Sequence, residues 1–217
     1  PTWTATDIAT SAAGALSDYA ADMDGDGDMD IVSAGFSDNT IAWYENNGDA
    51  NPTWAAADIA TDAAGASGVY AADMDGDGDM DIVSASSNDN TIAWYENNGD
   101  ANPTWTASDI VTNAGFARDV HAADMDGDGD MDIVSADFGD NTIAWYENNG
   151  DANPTWTAAD ISTSANAPHS VFVADIDGST FLQLPELVYE IVGTSCGLIS
   201  IDRLEVAEQS TNEYSMI

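Results

Sequence analysis

The sequence predicts an all-β protein: a β-propeller of four-stranded antiparallel blades. Two observations predict it. Pro-Thr-Trp recurs at Pro1, Pro52, Pro103 and Pro154, a spacing of 51 residues, and each repeat holds four short apolar stretches parted by turn residues. Within those stretches adjacent positions such as Ile41 and Ala42, or Trp43 and Tyr44, are both apolar. A sheet buried on both faces requires that, and a blade sandwiched between two others is such a sheet. The expected organisation is a single domain, 1–217, with repeats 1–51, 52–102, 103–153 and 154–204 and a tail, 205–217. Four repeats give four blades, or part of a larger or inter-chain assembly.

Each repeat reads as four strands. In the first copy, residues 3–8 alternate apolar and polar, 19–23 lead into an aspartate-rich turn, 31–34 leave it, and 40–44 are β-branched and aromatic. Asn46-Asn47-Gly48-Asp49 ends the last strand as a turn. A helix is disfavoured, because no repeat keeps a 3.6-residue period over about ten positions. Trp3 and Trp43 are expected in the core between blades, with sugar stacking as the alternative role. The aromatic slot before the loop holds Tyr19, Tyr70, His121 and Phe172, so His121 reads as a core substitution before it reads as a catalytic or metal histidine.

Forty acidic residues face two basic ones, Arg118 and Arg203, for a net charge of −38. Such a chain repels phosphate backbones and anionic membrane surfaces, so nucleic acid and acidic lipid are excluded as partners and cations are favoured. The most apolar stretch, 181–201, is broken by Pro185, Glu186 and Glu190, which argues against membrane insertion. Cys196 is the one cysteine and reads as a small buried residue, with a link between chains as the alternative. Pro1 opens the chain without a methionine, as in a mature product or a fragment.

The strongest chemical signal is the run Asp22-Met-Asp24-Gly-Asp26-Gly-Asp28-Met-Asp30. It recurs unchanged as Asp73, Asp75, Asp77, Asp79, Asp81 and as Asp124, Asp126, Asp128, Asp130, Asp132. Carboxylates at loop positions 1, 3 and 5 converge if the chain curls, and Gly27 at position 6 permits the bend. Asp28 at position 7 would offer its backbone carbonyl, and Asp30 at position 9 would close the shell. A flexible all-oxygen cage suits Ca²⁺ better than Mg²⁺ or a soft metal. Without a cation, two carboxylates 4 Å apart repel by about 4 kcal/mol at an effective dielectric near 20. The glutamate at position 12 and the flanking helices of an EF-hand are both missing.

An aspartate at position 9 between two strands, with the following Asp-Ile-Val-Ser-Ala and Thr-Ile-Ala-Trp-Tyr-Glu-Asn segments, resembles the FG-GAP/VCBS repeats of integrin-α-type propellers. The resemblance covers residues 1–178. It implies that the loop joins the first and second strands of a blade, that the sites share one rim, and that the protein is extracellular or at the cell surface, in adhesion, matrix or ligand binding. In the fourth repeat Asp175 and Asp177 keep positions 1 and 3, whereas Ser179, Thr180 and Gln183 replace the others, so calcium there is expected to be weak or absent. An inserted register would bring Glu186 to the closing place. About three Ca²⁺ sites are therefore expected, with a degenerate fourth.

The repeat opens with what should be an outer strand. Residues 1–10 would then complete the last blade and close a ring, unless residues 212–217 of the tail fill that slot and free the N-terminal strand to pair with another molecule. The copies differ mostly at 16–18, 35–37 and their equivalents, at the end opposite the loops, either as drift in exposed turns or as a ligand face. The leading expectation is an extracellular structural or adhesive module stiffened by calcium. A lectin-like carbohydrate binder and an acidic mineral- or cation-binding surface are the alternatives. No Ser-His-Asp set, cysteine nucleophile, P-loop or histidine metal cluster points to an enzyme.

Overall fold

Strand formation follows the apolar pairs. In the computed structural model, which describes residues 6–174 and 187–192, the segments rich in Ile, Val, Trp and Tyr pair into antiparallel sheets. The first sheet holds β1 (Ala15–Ala21), β2 (Asp30–Gly35), β3 (Thr40–Asn46) and β4 (Trp54–Ala60) in that order. The second holds β5 (Ala66–Ala72), β6 (Asp81–Ser86), β7 (Thr91–Asn97) and β8 (Trp105–Val111). The third holds β9 (Ala117–Ala123), β10 (Asp132–Asp137), β11 (Thr142–Asn148) and β12 (Trp156–Ser162). A two-stranded sheet follows, β13 (Pro168–Ala174) with β14 (Leu187–Val192).

The fourth strand of each full sheet comes from the start of the next sequence repeat: Asn46 pairs with Trp54 and Asn97 with Trp105. Of the expected strand at 3–8, residues 1–5 lie outside the described set and 6–8 are not strand.

Alternation along each strand sends side chains to two different interfaces. In the second sheet Ile82, Ala93 and Tyr95 pack with Val32, Ile41 and Trp43 of the first. Their neighbours Val83, Ile92 and Trp94 pack with Val120, Ile133 and Tyr146 of the third. A third cluster joins Val134 and Ile143 to Val171 and Val173. The sheets thus stack face to face in chain order, with β1, β5, β9 and β13 adjacent in turn. Along that line runs a column of rings, Tyr19 to Tyr70 at 4.3 Å, Tyr70 to His121 at 4.4 Å and His121 to Phe172 at 4.8 Å between centroids. His121 is buried in this column. Burial, then Tyr19, pushes the Tyr70 hydroxyl above its usual pKa. Trp43 and Trp94 are buried, in keeping with a core role.

In the fourth repeat Leu187 pairs with Ala174, as Asp30 pairs with Ala21 in the first sheet, and Glu186 lies outside the described residues. Asp175, Asp177, Cys196 and the tail lie outside the described residues.

Candidate metal centre

Three loops, each between the first and second strands of a full sheet, carry the aspartate runs. Their curl comes from glycine at two positions. Gly25 and Gly27 have φ of 74° and 96°, Gly76 and Gly78 of 76° and 101°, and Gly127 and Gly129 of 82° and 102°. No added Cβ would touch anything at Gly25, Gly27, Gly76 or Gly78, so backbone conformation and not crowding requires glycine there. The bend expected at position 6 therefore has a partner at position 4.

The aspartate at position 1 organises the loop. Asp73 accepts the Gly76 N–H at 2.8 Å on one oxygen and the Gly78 N–H at 3.1 Å on the other. Asp75 accepts from Asp77 N–H at 3.2 Å and Asp77 from Asp79 N–H at 2.9 Å, two successive Asx turns. Asp22 and Asp124 repeat the pattern. Each carboxylate oxygen keeps a second lone pair for another partner.

Oxygens of Asp22, Asp24 and Asp30 lie within 4.8 Å of one another, as do those of Asp73, Asp75 and Asp81. In the third loop the grouping is Asp124, Asp126 and Asp128. Positions 1 and 3 thus converge in all three loops, position 9 in two, and position 5 in one. Asp28, Asp79 and Asp130 at position 7 turn their carboxylates elsewhere. Each lies against the glycine of the neighbouring Asn-Asn-Gly turn, where a Cβ on Gly48, Gly99 or Gly150 would run into it. With the carboxylate held there, the backbone carbonyl is the group that position 7 could offer to an ion.

The position-9 aspartate is a buried tie as well as a group in the cluster. Asp81 accepts Met74 N–H at 3.1 Å and Asn97 N–H at 2.8 Å. Asp30 and Asp132 make the same pair of bonds. Burial pushes the Asp81 carboxyl up to about 7 and that of Asp132 up to about 6, with these N–H donors pulling the other way. The indole N–H groups of Trp94 and Trp145 have no aligned hydrogen-bond partner among the described residues, yet lie near enough to Asp81 and Asp132 to favour the carboxylate. At position 3, burial first and then like charge raise Asp24, with Asp26, Asp30 and Glu45 contributing. Asp75 and Asp126 are raised in the same way, with Glu96 acting on Asp75. Crowded carboxylates that resist ionisation fit a divalent cation: the donors are hard oxygens and their mutual repulsion is what a cation relieves.

Two features escaped the sequence reading. Glu45 and Glu96 add negative charge from the third strand of the sheet, and the 51-residue recurrence of Tyr-Glu-Asn was the available signal. Asn97 and Asn148 join successive loops. Asn97 Nδ2 donates to Met80 O at 3.0 Å in its own sheet and to Met23 O at 2.9 Å in the preceding one. Asn148 does the same for Met131 and Met74. Between the second and third loops lies a cavity of about 380 Å³, walled by Tyr19, Tyr70, Asp73, Met80 and Asp130.

A family model described as FG-GAP-like repeat matches residues 22–84, 74–135 and 124–182. No curated protein matches the chain. Among solved structures, "The crystal structure of a functionally unknown protein from Desulfotomaculum acetoxidans DSM 771" is similar over 88% of this chain and 69% of its own, at 15% identity and a TM-score of 0.39, a likeness too distant to carry an argument. The family matches run through every aspartate loop described above and together span 22–182, so the chain belongs to the FG-GAP-like repeat family.

Proposed function

We propose that the protein is an extracellular or cell-surface β-propeller whose aspartate loops bind Ca²⁺ as part of the fold, serving as a structural or adhesive module and not as an enzyme. One observation carries this reading: loop positions 1 and 3 converge, each time with a third aspartate, in three consecutive sheets, and the loops are stitched to one another by Asn97 and Asn148. A cation held by one loop would stiffen a structure shared with the next. Face-to-face stacking of four-stranded sheets, with first strands adjacent, supports the propeller. Its closure, through the N-terminal strand or the tail, involves residues outside those described.

Extracellular calcium modules bind with dissociation constants on the order of 10⁻⁴–10⁻³ M. At ten to a hundred times that constant each site adds about 1.4–2.7 kcal/mol, so three sites rival the stability of a small domain. Neutralisation of a −38 charge adds to this at long range.

The test is calorimetric titration of the full chain with Ca²⁺ and with Mg²⁺, paired with thermal melts in calcium and in chelator. About three Ca²⁺ sites, weaker Mg²⁺ binding and a much lower Tm in chelator are expected. Asp75→Asn should remove one site and leave the apo melt nearly unchanged. No calcium binding together with an unchanged melt would sink the reading.

A further inference from the structure

At the end of the sheets opposite the aspartate loops, the third repeat departs from the others. The position that holds Gly14 in the first repeat and Gly65 in the second holds Phe116 in the third. All three have left-handed backbone, with φ of 68°, 67° and 56°, as does Ala167 at the same place in the fourth repeat, with φ of 57°, so the turn imposes this conformation and the third repeat differs in the bulk it places there. Glycine adopts that conformation freely, whereas a bulky residue there is a steric outlier. Such outliers persist where the surroundings over-determine them, and they cluster at functional sites.

The surroundings of Phe116 are specific to this repeat. Arg118 stands where Leu16 and Ser67 stand in the first two copies, and His169 takes that place in the fourth. The Arg118 guanidinium carbon lies 4.7 Å from the centre of the Phe116 ring and 5.1 Å from that of Phe138. The two rings are 5.8 Å apart. From the neighbouring sheet the exposed His169 meets Phe138 edge-on, with centroids 4.9 Å apart.

In a chain of 40 acidic and two basic residues, an arginine would be expected to find a carboxylate. The acids at this end of the same sheet have other partners. Asp119 accepts from the Ser170 hydroxyl and from Val171 N–H, Asp137 from the Ser135 hydroxyl, and Asp140 from Gly115 N–H. Arg118 Nε is buried and has no hydrogen-bond partner among the described residues.

We propose that Phe116, Arg118, Phe138 and His169 form a binding site for a carboxylate carried on an apolar or aromatic body. The guanidinium fork matches a carboxylate with two parallel hydrogen bonds, and the rings that flank it exclude water and strengthen the pairing. The same rings, with the imidazole, offer faces for the apolar body. Charge selects against a bare hydrated anion, because the field of the whole chain repels it and only a ligand that also buries apolar surface has a second source of affinity. Phe116, a bulky ring at a place where the other repeats hold Gly14, Gly65 and Ala167, supplies one wall of the site.

The test uses the full calcium-loaded chain at about 0.15 M salt, where the Debye length is about 8 Å. The probes are benzoate, its neutral counterpart benzamide, and inorganic phosphate, read by NMR of the two histidines. Benzoate should shift the His169 ring signals and leave those of His121 in place, while benzamide and phosphate do so at least tenfold more weakly. Arg118→Gln should weaken benzoate at least tenfold. Phe116→Gly should weaken it comparably while leaving Tm equal or higher, because strain is relieved. No benzoate shift at His169, or equal binding by Arg118→Gln, would overturn the site. A Phe116→Gly variant that melts lower would do so as well, since the cluster would then be a hydrophobic plug. Phosphate binding as tight as benzoate would overturn the ligand class.

Discussion

The side-chain amide of Asn97 donates to the carbonyl of Met23, 74 residues earlier in the chain, across 2.9 Å. The same amide holds Met80 O, and its oxygen accepts Gly99 N–H at 3.1 Å. Asn97→Ala therefore leaves the Met23 carbonyl without a partner at a buried position, and the Met80 carbonyl and Gly99 N–H at part-buried ones. The expected loss is roughly 2–3 kcal/mol, on the scale of unpaired buried polar groups. Asn46 is the internal control: it bonds Met29 O and Gly48 N–H in its own sheet, and it is partly exposed. Asn46→Ala should cost less than about 1 kcal/mol, because water replaces what is lost. Urea denaturation of both variants checks the difference, and equal losses would remove the inter-sheet tie as the cause.

Much of this architecture was legible because it repeats. Exact copies of the Asp22–Asp30 run exposed the loop chemistry, and doubled apolar positions such as Trp43-Tyr44 exposed a sheet with two buried faces. Contacts made only by stacking were not legible. Asn97 looks like a turn residue in one repeat, and nothing local points it at Met23. Position 7 reads as a backbone-carbonyl donor, but nothing local places the Asp79 carboxylate against Gly99. Phe116 sits at a left-handed turn position common to all four repeats, and nothing local points its ring at Arg118.

The Asp79–Gly99 contact separates two kinds of strain. Gly99 has φ of 68°, and a Cβ there would also collide with the Asp79 carboxylate. Gly99→Ala should lose roughly 1–3 kcal/mol from left-handed backbone and crowding together. Combining it with Asp79→Ala removes the collision but keeps the backbone cost, so the pair should be less destabilising than the sum of the single changes. A double-mutant cycle by chemical denaturation reads this coupling, and strict additivity would show that the carboxylate moves aside without cost.

Gly68 tests how closely the sheets approach. A Cβ on it would sit 2.7 Å from the Asp119 Cα and 3.1 Å from the Arg118 carbonyl oxygen, both backbone atoms of the next sheet. Its counterparts Ser17 and Asp119 use side chains to accept Val69 and Val171 N–H groups from the following sheet, at 3.3 and 3.0 Å. Gly68 cannot, and Val120 N–H turns instead to Asp119 Oδ1 at 3.1 Å. Gly68→Ser should therefore destabilise by roughly 1–3 kcal/mol and not restore the pattern of the other repeats, because overpacking against backbone has no side chain to yield. A stabilised Gly68→Ser variant would show that β5 and β9 are free to separate.

Asp137 sets a pH dependence that calcium does not share. It lies at the end of β10 away from the aspartate loops, is 3% exposed, and receives one hydrogen bond from Ser135. Burial, and then the charges of Asp140 and Asp160, push its carboxyl up to about 6, with Ser135 pulling the other way. A carboxyl raised on folding favours the native state most when it is protonated. Its contribution is fully present below the unfolded value near 3.9 and is lost as pH rises through about 6. Asp137→Asn keeps the shape and an acceptor for Ser135 and removes the charge. It should gain roughly 2–3 kcal/mol over the parent chain at pH 8, and roughly half of that at pH 5, where the native carboxyl is mostly protonated. With parent and variant both in chelator, the difference between their urea midpoints isolates this one group from any cation bound by the loops. A variant less stable than the parent at pH 8 would mean that the Asp137 charge has a compensating partner in the fold.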